Sequence, residues 1–126
     1  MNVLVDTSIW VSHFKETNPV LSACLLRDEV LIHPFIIGEI ACGIPPAPRQ
    51  RTLADLFFLA HVNEATATEV MAFIDRKELY GRGCGWVDIS LLASTLMTPD
   101  CRLWTRDKRL AILADQFGVG MVGIES

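Results

Sequence analysis

A chain of 126 residues has room for one domain and one hydrophobic core, and the domain is expected to span residues 1–126. Hydrophobic residues make up 51% of it and mean hydropathy is +0.35, so a packed core is expected with apolar surface left for a partner. A net charge of −4 speaks against a general nucleic-acid binder, and a membrane span is excluded because Asp28, Glu29, Glu39, Arg49 and Asp55 interrupt the most apolar region.

In chain order, "NVLVD" (2–6) is a short apolar run ending in an acid. With no basic start and no cleavage site, "MNVLVD" reads as a strand rather than a signal peptide, which places the protein in the cytoplasm. "TSIWVSHFK" follows as a helix with Ile9, Trp10 and Phe14 on one face. "NPVLSACLLRD" (18–28) opens with a capping Asn18 and Pro19 and makes a second helix. "VLIH" (30–33) is a buried strand, and "PFIIGEIACG" (34–43) a helix closed by Gly43, with "IPPAP" as the loop behind it. "RQRTLADLFFLA" (49–60) is amphipathic, "HVNEA" (61–65) is a short strand, and "TATEVMAFIDRKELYG" (66–81) is a helix with Val70, Phe73, Ile74 and Leu79 on one side. The loop "GRGCG" leads into a helix over 86–97. A strand at 102–105, a helix at 107–118 and a strand at 119–124 complete the chain. Near-continuous apolar strands alternating with helices imply an α/β fold with a parallel sheet covered on both faces. Its ligand site belongs at the carboxyl ends of the strands, where the strand order reverses.

Acids stand at those positions. Asp6 ends the first strand, Asp107 follows the fourth, and Asp88 opens a helix after the glycine-rich loop. Each of these three serves equally well as a helix cap or first-turn acid and as a ligand. Glu39 lies within a helix among apolar neighbours, and no Lys or Arg occurs between Glu29 and Pro48, so it either reaches solvent or needs a cation. Four carboxylates around one pocket repel until a divalent cation neutralises them. Oxygen-only donors suit Mg²⁺ or Mn²⁺, ions that activate water against a phosphodiester. With these four of the 15 acids set aside, 11 acids face 11 Lys and Arg, so the remaining surface is formally neutral. Arg82 and Arg106 are candidate contacts to a nucleic-acid phosphate backbone. Arg49, Arg51, Lys108 and Arg109 are weaker candidates, and a solvated helix face explains Arg49 and Arg51 at least as well.

"LVDTSIW", "IIGEIACG", "GWVDISLLAS" and "LWTRDKRL" occur in this order over nearly the whole chain. Together they resemble the PIN-domain ribonucleases, and among these the VapC toxins of type II toxin–antitoxin pairs. The resemblance implies a PIN-like fold, a parallel five-stranded sheet sandwiched between α-helices. It also implies an endoribonuclease dependent on Mg²⁺ or Mn²⁺, with Asp6, Glu39, Asp88 and Asp107 on the acidic positions. Thr7 or Ser8, and Thr105, match hydroxyl positions that orient the acids or a water. A homodimer and a cognate VapB-type antitoxin are implied as well; "VLSACLL" (20–26) and "LADLFFLA" (53–60) are candidate walls of the antitoxin's groove, though core packing is the commoner use of such segments. Lys108 and Arg109 stand where some relatives carry a further acid, which weakens the case for a second metal.

Two rival functions are a PIN-like domain that binds RNA or a partner without cutting, and a phosphoacceptor receiver domain. The four acids oppose the first. The second wants adjacent acids after strand one and a lysine ending a late strand, whereas "VDTS" has one acid and "LWTRD" no lysine. His13, His33 and His61 share no motif and read as structural. Trp10, Trp86 and Trp104 read as packing residues with hydrogen-bonded indoles rather than base-stacking platforms. "GRGCG" is either a phosphate-binding nest or a hinge. Cys24, Cys42, Cys84 and Cys101 form no metal motif and are expected reduced.

Overall fold

A computed structural model of the chain describes residues 1–121. Its elements are β1 (Asn2–Val5), α1 (Thr7–Lys15), α2 (Pro19–Leu26), β2 (Val30–Ile32), α3 (Pro34–Cys42), α4 (Arg49–Phe57), β3 (Ala60–His61), α5 (Ala67–Lys77), α6 (Trp86–Met97), β4 (Cys101–Trp104) and α7 (Lys108–Gln116). The strands pair in the order β3-β2-β1-β4, all parallel. β1 runs outward through β2 to β3, and the chain then crosses back to lay β4 on the other side of β1, so the order reverses between β1 and β4.

The sheet has four strands among the described residues, not the expected five. Val119 accepts a bond from the Leu103 N–H at 2.7 Å and Gly120 bridges to Leu103, so the segment from 119 meets β4 as a single bridge. Residues 122–124 of the expected fifth strand lie outside the described residues. β3 is also shorter than expected, and α4 stops before it instead of reaching Ala60.

The strands form because each is a nearly unbroken run of apolar residues: Val3, Leu4, Val5, Val30, Ile32 and Leu103 are almost fully buried. Burying such side chains contributes about 1.5–3 kcal/mol each. Helix starts are fixed by side-chain caps. Asn18 accepts from the Val20 and Leu21 N–H groups, Thr66 and Glu69 form a reciprocal capping box, and His33 Nδ1 accepts from the Phe35 N–H at 3.0 Å. The three histidines are structural: His13 Nδ1 accepts from the Asn18 N–H, and His61 Nε2 lies 3.2 Å from the Phe57 carbonyl. Trp10 and Trp104 are buried as expected, but their indole N–H groups have no partner among the described residues, and Trp86 is exposed. All four cysteines are free.

Candidate active site

β1 carries its apolar side chains into the core and then delivers Asp6, only 7% exposed, to its carboxyl edge. A carboxylate so buried is costly unless hydrogen-bonded. Ser8 Oγ donates to Asp6 Oδ2 at 2.9 Å, and Thr105 Oγ1, arriving from the end of β4, donates to the same oxygen at 2.7 Å. Each hydroxyl accepts in turn, Ser8 Oγ from the Arg106 N–H and Thr105 Oγ1 from the Asp107 N–H, both at 3.0 Å. The loop that carries Asp107 is thereby tied to the end of β1. Because both donors share Oδ2, Asp6 Oδ1 accepts no bond from the described residues and is free to face a ligand.

Asp107 caps α7, its Oδ1 accepting from the Leu110 N–H at 3.0 Å. Its second oxygen accepts no bond from the described residues, so the cap leaves one oxygen available for a ligand. Glu39 sits five residues beyond Pro34, about 7.5 Å along α3. Its Oε1 accepts from Thr7 Oγ1 at 2.6 Å, and it is exposed rather than buried among its apolar neighbours. Thr7 is thus the hydroxyl that holds Glu39 while Ser8 and Thr105 hold Asp6, a division of labour that sequence alone left open. α6 leads into the start of β4 and so runs against the strands, which brings its first turn, with Asp88, to their carboxyl edge.

The Asp88 carboxyl is pushed above the ordinary carboxylate range, first by burial, then by Asp6 and Asp107, with Glu39 adding and a backbone bond at Gly85 opposing. The other three acids therefore all act on Asp88. Yet among the described residues no three His, Cys, Asp or Glu side chains are close enough to cage an ion. The two facts are compatible, because charge repulsion reaches further than a coordination bond. Mg²⁺ also keeps most of its waters and takes only one or two carboxylates directly. The donor set, all oxygen, with unshared lone pairs on Asp6 and Asp107, fits such an ion.

None of the four acids has a cationic partner among the described residues. The ion pairs among the described residues join the Met1 ammonium to Glu29 and Asp100 and Arg27 to Glu29, at the opposite edge of the sheet. Arg106 and Lys108 make no pair with Asp107. Arg82 and Arg106 are exposed around the site, and "GRGCG" turns tightly, with Gly81 at φ +72° and Gly83 at φ +84°. Beside Glu39 an apolar hollow is lined by Val11, Phe14, Ile40 and Pro46. It shares Phe14 and Pro46 with a second hollow walled by Leu25, Leu56 and Leu59, so both segments proposed as groove walls contribute to one groove that ends at an acid of the site.

No family model matches the chain. Two curated relatives do, each named Ribonuclease VapC32, from Mycobacterium tuberculosis strains CDC 1551 / Oshkosh and ATCC 25618 / H37Rv. Each is 38% identical over 122 residues, covering 94% of this chain and 95% of the relative.

Proposed function

The chain belongs to the VapC family of PIN-domain ribonucleases, and we propose that it is the toxin of a toxin–antitoxin pair, an endoribonuclease that hydrolyses RNA phosphodiester bonds. Asp6, Glu39, Asp88 and Asp107 would hold Mg²⁺, or Mn²⁺ in its place, in one catalytic domain spanning the chain. One observation carries this reading: at the carboxyl edge Asp6, Asp107 and Glu39 all raise the Asp88 carboxyl, and none of the four has a cationic partner among the described residues, while Glu29 and Asp100 at the other edge are paired. Unrelieved repulsion is a cost that a bound divalent cation removes.

When bound, the ion supplies Lewis acidity toward the phosphodiester and toward the water that attacks it. The chain's own residues set the geometry. Ser8 and Thr105 lock Asp6 in one rotamer and leave its other oxygen facing outward, and Thr7 does the same for Glu39. Asp107 is fixed by its cap. Arg82 and Arg106, exposed at the rim, contact the RNA backbone.

The apolar groove beside Glu39 receives the C-terminal segment of a VapB-type antitoxin, whose occupancy blocks the acids. The exposed Leu26, Phe57 and Phe58 support a homodimer. A cytoplasmic place of action is part of the proposal, and no helix among the described residues is long and apolar enough to cross a membrane. The test is Mg²⁺-dependent cleavage of total bacterial RNA by the wild type, Asp6→Asn and Glu39→Gln. Both variants are expected to lose cleavage, and equal activity in all three would overturn the assigned site.

A further inference from the structure

Arg109 is the second residue of α7, in the helix's first turn, where a cation opposes the positive end of the helix dipole. No acid lies within 4.0 Å of it among the described residues, so no ion pair offsets that cost. Its side chain nevertheless lies against the loop before α6. A Cβ built on Gly83 would stand 2.7 Å from Arg109 Cδ and Nη1 and 3.0 Å from Cζ, so the arginine lies flat against the bare backbone of the loop before α6. Gly83, at φ +84°, both makes the turn and supplies the seat.

That seat is beside the acidic pocket. Cys84, next to Gly83, feels Asp88 and Asp107 on one side and Arg109 and Arg82 on the other. The guanidinium is thus close to Gly83 on the same loop that leads to Asp88, unpaired among the described residues and exposed at the surface. A planar fork of N–H donors in that state matches the non-bridging oxygens of a phosphodiester.

We propose that Arg109, seated on Gly83, binds a backbone phosphate of the RNA strand laid across the acidic pocket. The inference rests on the ribonuclease reading above and adds a substrate contact to it. Any nucleotide presents the same phosphate, so the contact sets the position of the strand and not the choice of base.

The test measures binding of a mixed-sequence single-stranded RNA across a salt series, with Ca²⁺ replacing Mg²⁺ to hold back cleavage. The wild type is compared with Arg109→Gln, Arg109→Lys, Gly83→Ala and, as a distant control on α5, Arg76→Gln. Arg109→Gln is expected to bind about tenfold more weakly and to lower the salt slope by about 0.7, the value of one phosphate on a single strand. Arg109→Lys recovers the slope but only part of the affinity. Gly83→Ala weakens binding with the arginine still present, and Arg76→Gln changes nothing. An Arg109→Gln variant with wild-type affinity and slope would overturn the proposal. Cleavage by Asp88→Asn in Mg²⁺ is run alongside. Wild-type cleavage there would sink the acidic-site reading instead, whereas lost cleavage together with unchanged Arg109→Gln binding defeats this contact alone.

Discussion

Replacing Asp88 with asparagine separates what the acidic site costs the fold from what it does for a ligand. Asp88 is half-buried and its carboxyl is raised by burial, Asp6, Asp107 and Glu39 in that order. An acid whose pKa is higher folded than unfolded destabilises the fold when ionised, so its penalty is present above the folded pKa and relieved as pH falls through it. Asparagine keeps the shape and an acceptor for Gly85 and removes the charge. In EDTA at pH 7.5 the Asp88→Asn variant should therefore be more stable than the wild type, by about 0.5–1 kcal/mol after allowance for solvent screening. For a domain of this size that is roughly 2–4 °C in melting temperature. Metal reverses the order. At a hundredfold excess of Mg²⁺ over its Kd the wild type gains about 2.7 kcal/mol, roughly 10 °C, and the variant gains much less. Circular-dichroism melts with EDTA and with Mg²⁺, repeated at pH 5.0 where the gap between the two proteins should narrow, check each step. A variant that melts below the wild type in EDTA and keeps the full Mg²⁺ shift would refute the reasoning.

Thr105→Val takes one of two donors from Asp6 and leaves the Asp107 N–H without an acceptor, so it should cost about 1–2 kcal/mol in a denaturant titration and lower RNA cleavage at least tenfold. Thr105→Ser should restore most of both. Leu59→Glu places a charge in the apolar groove away from the acids, so calorimetry should show antitoxin binding at least tenfold weaker while RNA cleavage without antitoxin stays at the wild-type rate. His33 is buried and accepts the Phe35 N–H, which requires a neutral Nδ1. Burial lowers its pKa below 6.5, with Glu64 opposing and His61 adding. Stability present above pH 6.5 should be lost as pH falls toward the folded pKa, at up to about 1.4 kcal/mol per pH unit, and His33→Asn, which keeps an acceptor for the cap, should flatten that slope in pH-dependent melts.

Where local chemistry marks both ends of an element, the sequence is enough. α6 was legible to the residue, since Gly85 precedes it and Thr98-Pro99 stops it. β3 was not legible. It is an edge strand of two exposed residues that pair with Leu31 and Ile32, and with no buried face it leaves no periodic trace. Leu59 and Ala60 therefore read as the tail of the preceding helix. The sequence leaves Glu39 open between reaching solvent and needing a cation, and in the fold it reaches solvent. Its sequence neighbours are apolar, but Ile36, Ile37 and Ile40 point into the core while Gly38, Glu39 and Cys42 share the exposed side of α3. The burial cost that its neighbours imply does not arise on a helix that turns 100° per residue.

The acids at the site pose a subtler problem, because a strand-adjacent acid has no sequence label for its role. Glu29 and Asp100 stand immediately before β2 and β4, just as Asp6 and Asp107 stand after β1 and β4. All four look alike as caps or turn residues. They differ in what lies across from them. The Met1 ammonium is 3.6 Å from both Glu29 and Asp100, and Arg27 reaches Glu29 at 2.8 Å, so that edge of the sheet neutralises its own charge. At the carboxyl edge, hydroxyls and backbone N–H groups orient Asp6 and Asp107 without neutralising them. Hydrogen bonding without charge compensation holds a carboxylate in place while leaving its charge for something else, and that asymmetry between the two edges marks the ligand side of the sheet. Arg106, Lys108 and Arg109 crowd Asp107 in the sequence, yet none pairs with it in the fold. The basic run beside Asp107 therefore leaves the site's negative charge intact.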